Sequence, residues 1–144
     1  MIPLPESTHR LFATDNHAVL VTVDADGSPQ ASLVWAERDG DQVLIGMEGY
    51  QRKAANLRRD PRVTVIIEDD QPSRRGLAQY LVIRGRAEVT APEIGEEWTA
   101  LMDKQAQRYL GKDYPFENRY SETAVIARVT PEKITGEGPW AARG

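Results

Sequence analysis

The densest set of side chains able to do chemistry in this chain is Gln51-Arg-Lys-Ala-Ala-Asn-Leu-Arg-Arg-Asp-Pro-Arg62. Five of these residues are basic (Arg52, Lys53, Arg58, Arg59, Arg62) and one, Asp60, is acidic, so the segment is locally +4. The whole chain has 18 Lys+Arg against 22 Asp+Glu and a net charge of −4. Arg52 and Asn56 are four apart and Lys53 and Asn56 three apart, spacings that let them share a helical face. They fall in the first turns after Gly49, where free backbone N–H groups and the helix dipole favour an anion. A cation, an amide donor and a helix N-terminus together suit a phosphate. The same spacing also describes a solvated basic helix making ion pairs.

The rest of the chain is poor in reactive groups. His9 and His17 both lie near the N-terminus and have no metal-ligand spacing. The absence of cysteine excludes a disulfide scaffold, a thiolate metal site and a cysteine nucleophile. No GxSxG, HExxH, Walker or GxGxxG pattern occurs. An enzyme with this sequence takes its reactivity from a cofactor and itself contributes binding, orientation and electrostatics.

The elements that must position the basic segment are mostly strands. The 144 residues amount to one expected domain, 1–144, with ordinary globular composition at 40% hydrophobic and 28% charged. No apolar run approaches the roughly 20 residues of a membrane helix, and the start lacks the features of a signal peptide. A soluble, cytoplasmic protein is expected. Glu6 to Ala13 reads as a short helix and Ala18 to Asp24 as a β-branched strand. Asp26-Gly27 and Asp39-Gly40 mark hairpins that join three strands, the second over Gln30–Glu37 and the third over Gln42–Met47, into a meander. Tyr50 to Arg59 reads as a helix stopped by Asp60-Pro61. Arg62–Glu68 and Gln79–Thr90 follow as strands, the latter with a bend or bulge at Gly85. Pro92 opens a longer amphipathic helix with Ile94, Trp98, Leu101, Met102, Tyr109 and Leu110 as its stripe, and Gly111 ends it. Thr123–Val129 is a sixth strand and Lys133–Thr135 a possible seventh. Six or seven antiparallel strands with a few short helices and one longer one give a mainly β (α+β) small barrel, which also removes exposed edges.

Lys53-Ala-Ala-Asn-Leu-Arg-Arg-Asp-Pro-Arg-Val63, placed between two strands, resembles the pyridoxamine 5′-phosphate oxidase-like split-barrel superfamily. Within it, the pattern is similar to the coenzyme F420 (deazaflavin)-dependent reductases of actinobacterial type. Asp26-Gly-Ser-Pro-Gln-Ala-Ser32, Arg84-Gly-Arg-Ala-Glu88 and Gly138-Pro-Trp140 lie in matching order, so the resemblance spans about Leu11 to Trp140. It implies a split β-barrel homodimer with cofactor sites at the interface, and Val65 and Ile67 packed at or near the two-fold contact. It implies that Lys53 and Asn56 hold the cofactor's phosphate region, that Ser32 lines the tricyclic ring and that Tyr80 stands beside it. Gln51 occupies a position where many members have arginine, and Met47 one where a small hydroxyl residue is common; Arg52 is then the candidate replacement cation. The implied activity is hydride transfer from reduced F420 to a small planar or unsaturated substrate. Flavin mononucleotide (FMN) is the alternative cofactor, and a non-catalytic cofactor-binding protein the alternative function. Arg58, Arg59, Arg74 and Arg75 would extend a positive track toward a polyanionic F420 tail. Nucleic acid and membrane are not expected partners, since acidic residues outnumber the basic patch and no aromatic platform accompanies it.

Overall fold

The computed structural model describes residues 2–73, 75–91 and 93–141. Its elements run β1 (Ala18–Val23), β2 (Pro29–Val34), β3 (Glu37–Asp39), β4 (Gln42–Glu48), α1 (Arg52–Arg59), β5 (Arg62–Glu68), β6 (Tyr80–Val89), α2 (Gly95–Leu110) and β7 (Ala124–Glu137). Short 3-10 helices cover Glu6–Ala13 and Glu117–Tyr120. All the strands pair antiparallel in one seven-stranded sheet of order β2-β1-β5-β6-β7-β4-β3.

That order corrects the expected meander. β2 stops at Val34, and β3 begins at Glu37 on the opposite edge of the sheet. Only Trp35 and Ala36 join the two edges. Three virtual bonds of 3.8 Å cannot hold Val34 and Glu37 more than about 11 Å apart, so the sheet must curl until its edges meet. The result is the split β-barrel. Its interior is filled by the inward residues of alternating strands, among them Leu20, Val43, Ile45, Leu81 and Ile83, each fully buried. Val65 and Ile67 belong to this interior and not to an outer contact, because β5 directs Val63, Val65 and Ile67 inward.

The turns follow their residue chemistry. In the β1–β2 hairpin Gly27 alone has a positive φ, +88°, while Asp24 N–H donates to Ser28 O at 2.8 Å and Gly27 N–H to Asp24 O at 2.8 Å. Asp26 therefore stays in ordinary backbone space. Gly111 ends α2 in the left-handed region, its N–H shared between the carbonyls of Ala106 and Gln107. Pro92, expected at the start of this helix, lies outside the described residues; the first helical residue is Gly95.

The sixth and seventh strands expected from sequence are one strand, β7, which runs through Pro131. A register shift makes this possible. Gly85 faces Pro131 and Arg84 faces Lys133, so Glu132 is the extra residue of a bulge beside the proline, a place where strands tolerate one. Gly85 lets the two strands approach at this point. A Cβ there would lie 2.1 Å from the Thr130 carbonyl oxygen, which is backbone and cannot turn aside. Gly85→Ala is expected to lower stability by about 1–3 kcal/mol, the usual range for overpacking, in urea unfolding followed by far-UV circular dichroism.

Candidate functional site

A cavity of about 400 Å³ lies beside the link between the barrel's edge strands. One wall is the end of β2 and the link after it (Leu33, Val34, Trp35), and another is the end of β4 (Gly46, Met47, Glu48). The start of α1 contributes Gln51 and Lys53, α2 contributes Trp98, Met102 and Gln105, and Tyr114, Phe116 and Asn118 close the rim.

α2 is tied to the link between the barrel edges. Arg108 donates to Glu37 at 3.0 Å and to the Ala36 carbonyl, and the Tyr109 hydroxyl donates to Asn16 O at 3.1 Å. Trp35 stacks on Tyr109 with centroids 5.1 Å apart and planes 7° off parallel. Tyr114 stands edge-on to both Trp35 and Trp98, at 6.1 and 5.6 Å. The cavity thus has flat aromatic walls set at right angles.

The rim segment is held by Glu48. Its carboxylate accepts from Asn118 Nδ2 at 2.9 Å, Ser121 Oγ at 2.9 Å and Thr123 Oγ1 at 2.7 Å. Burial pushes the Glu48 carboxyl upward, but the three hydrogen bonds outweigh it and hold the group below the ordinary glutamate range. Arg119 adds an ion pair to Asp103 that ties the same segment to α2.

α1 divides its polar side chains between two faces. Arg52, Asn56 and Arg59 meet the end of β1: Arg52 lies 3.3 Å from Asp24, and Asn56 Nδ2 donates to Thr22 Oγ1 and Asp24 Oδ1 at 3.0 and 2.9 Å. Arg59 donates to Val23 O and Asn56 Oδ1. The buried Asn56 amide is therefore saturated by the protein. Arg58 turns to the Gly49 carbonyl, and Arg74 lies outside the described residues. Lys53 behaves differently: it is half-buried on the cavity, and burial with no charge to offset it holds its ammonium below the ordinary lysine pKa. Beside it the first backbone bonds into α1 come from Ala54 and Ala55 to Gln51 O, so the Arg52 and Lys53 N–H groups take no backbone acceptor there. Gln51 closes the entry turn, its Oε1 accepting from Glu48 N–H at 3.0 Å.

Of the seven residues singled out from sequence, Met47, Gln51 and Lys53 line the cavity. Ser32 precedes Leu33 on β2 and has a buried hydroxyl without a partner among the described residues. Arg52 and Asn56 lie on the other face of α1, and Tyr80 lies outside the cavity lining at the start of β6, where its carbonyl accepts from Trp140 Nε1 at 3.1 Å. The sequence reading missed Glu48, Gln105, Tyr114, Phe116 and Asn118, and it treated Trp98 as core. Gln105 had a visible signal: it stands at the inward position between Met102 and Tyr109, where the apolar stripe breaks. Both of its amide atoms and the Trp98 indole N–H are buried without a described partner. Each such group costs about 1–3 kcal/mol.

Because the folded-state pKa of Glu48 is depressed, its contribution to stability is present above the unfolded-state value and is lost as pH falls through the folded one. Urea unfolding across an acid pH series should show this loss in the wild type, and Glu48→Gln should flatten that part of the profile.

Comparison with known proteins agrees with the geometry. The chain is 28% identical over 130 residues to pyridoxine/pyridoxamine 5′-phosphate oxidase of Bradyrhizobium sp. (strain ORS 278), covering 86% of this chain and 57% of that relative. The chain thus spans little more than half the length of this curated relative. Among solved structures, an F420 reductase superposes with a TM-score of 0.71 at 24% identity over 92% of this chain and 98% of its own. HutZ, the heme storage protein from Vibrio cholerae, superposes with a TM-score of 0.66 at 19% identity over 95% and 96%. At these identities the structural likeness is one of fold. The profile of the pyridoxamine 5′-phosphate oxidase family matches residues 4–137, nearly the whole sequence, and the chain belongs to that family.

Proposed function

We propose that this chain is a coenzyme F420-dependent oxidoreductase acting on a small planar or unsaturated substrate. The observation that carries the reading is Lys53, a half-buried cation facing an aromatic cavity beside helix N–H groups that take no backbone acceptor, and without an ion pair among the described residues. Ser32, whose buried hydroxyl has no partner among the described residues, is the proposed polar contact for a ring. These donors fit a flat heterocycle bearing a phosphate: Lys53 and the α1 N-terminus would hold the phosphate, and Ser32 and Met47 would line the ring. The bound coenzyme supplies the hydride, which is why the chain can do without a nucleophile of its own. Trp35 and Tyr114 would flank the side of the cavity where the substrate lies. The F420 reductase among the structural neighbours supports this cofactor.

A second reading, FMN in the same place, is favoured by one observation. Arg52 and Arg59 face Asp24 and Asn56, which leaves Lys53 as the cavity's lysine or arginine and suits one compact phosphate. Arg52 is nonetheless 71% exposed, and a surface pair of this kind exchanges readily for another anion.

The proposed functional unit is a homodimer. Leu33, Val19, Ile66 and Val82 align across β2, β1, β5 and β6 on the outer face of the barrel. Leu33 is 70% exposed and also lines the cavity, so a second copy seated on this apolar row would reach the site. Light scattering should give a dimer for the wild type and a monomer for Ile66→Glu. A monomeric wild type would remove the dimer from the proposal.

Titration with F420 and with FMN at two ionic strengths tests the cofactor. Lys53→Ala should weaken binding by about 1.5–3 kcal/mol, the range for a hydrogen bond to a charged group, while the melting temperature stays level or rises. Tighter FMN binding at both salts would overturn the F420 assignment.

A further inference from the structure

The floor of the cavity has a feature that the phosphate contacts at Lys53 and the α1 N-terminus do not use. Trp98, Met102 and Gln105 occupy successive inward positions of α2, spaced four and three apart, and all three line the cavity. Gln105 is 0% exposed and Trp98 2%. The Gln105 amide nitrogen and oxygen and the Trp98 indole nitrogen are each unpaired among the described residues. An apolar side chain of similar shape would fill the Gln105 position at no hydrogen-bonding cost, and the stripe around it is apolar. Across the floor is Gly46, where a Cβ would come within 2.2 Å of Met102 Cε and 3.1 Å of the indole nitrogen. Glycine there keeps the floor open, and Met102 is a flexible gap-filler beside it.

We infer that this floor is the substrate pocket, and that it recognises a flat ring bearing a lactam or imide edge. A glutamine amide presents an N–H donor and a C=O acceptor side by side, and the complement is a ring N–H beside a ring C=O. The indole N–H supplies a further donor, either to the second lone pair of that carbonyl or to the other carbonyl of an imide. Trp35, Tyr114 and Phe116 provide the flat walls that such a ring stacks on. A purely apolar ligand would leave all three groups unpaired, and a single hydroxyl would have to serve all three from one oxygen, whereas a lactam edge divides the donor and acceptor roles between two ring atoms. The inference rests on the oxidoreductase reading for what happens to the ligand, and on the cavity alone for its being bound. The pyrimidine edge of a flavin-type ring carries the same chemistry, so the test separates the two sources.

The test uses the full chain with 2-pyridone as the lactam probe and N-methyl-2-pyridone as the analogue lacking the N–H. The readout is the Trp98 indole N–H resonance, assigned with Trp98→Phe. 2-Pyridone should shift this resonance saturably, and the N-methyl compound should bind at least about tenfold more weakly, since a site built to pair a polar group rejects the analogue without it. Gln105→Leu should lose at least about tenfold in probe affinity. Its melting temperature should rise by about 2–6 °C, because an unpaired buried amide is removed. Its affinity for F420 and FMN should stay within about twofold of the wild type. Equal binding of both pyridones, no saturable shift, or a Gln105→Leu protein that melts lower would each overturn the inference. Loss of cofactor affinity in Gln105→Leu without 2-pyridone binding to the wild type would assign the floor to the cofactor ring instead. 2-Pyridone binding in a chain that takes up neither F420 nor FMN would refute the oxidoreductase reading and leave this pocket standing.

Discussion

Two residues, Trp35 and Ala36, constrain everything else. They connect the two outermost strands of a seven-stranded order, so the sheet has no choice but to roll up. Rolling brings β2 and β3 to one corner, and the cavity lies against the end of β2, the link and the end of β4. The link is also the anchor for α2, through Arg108 on Glu37 and the Ala36 carbonyl and through Trp35 stacked on Tyr109. The same link that closes the barrel therefore positions the helix that floors the site. Lengthening it would release the closure, the anchor and the aromatic wall together.

α1 shows how a short basic helix can serve both structure and binding. Its Arg52–Asn56–Arg59 side completes a polar cluster with Thr22 and Asp24, which fixes the helix against the end of β1. Ala54 and Leu57 fill the barrel mouth below. With orientation settled by those contacts, Lys53 is free to face the cavity without a structural duty. The spacing that put Asn56 beside Lys53 in the sequence was real, but a helical face is broad, and packing against β1 divided it.

Much of the fold was legible because it depends on local chemistry. Gly27 and Gly40 supply the positive φ their turns require, Gly111 caps its helix, and the β-branched runs of β1 and β5 form strands. What was not legible depends on which strands become neighbours. Alternation says that Ser32 and Leu33 face opposite ways, but it cannot say that β2 and β3 belong to opposite edges. Nor can it show which face of β5 is interior, which is why Val65 and Ile67 were assigned to the wrong side. The break expected between Val129 and Lys133 is instead a bulge at Glu132, which depends on the partner strand at Arg84 and Gly85. In the site, the basic segment was visible through its charge. Glu48, Asn118 and Tyr114 come together across some 70 residues of sequence and have no local signature.

The distribution of satisfied and unsatisfied polar groups separates scaffold from site. Polar residues that hold the fold together are fully partnered: Glu48 has three donors, Asn56 takes Thr22, Asp24 and Arg59, and Asp69 takes Arg10, Gln71 N–H and Gln79. Arg108, although its Nε is unpaired, spends its terminal nitrogens on Glu37, Ala36 and Tyr109. The groups left wholly without partners are different in location. Among the described residues, Trp98 and Gln105 line one cavity, together with the half-buried Lys53. Scattered packing faults would not gather at one corner of a barrel whose other buried polar side chains are so well paired. Their concentration there, against a frame whose own polar groups are paired, is the observation on which the proposed binding site rests.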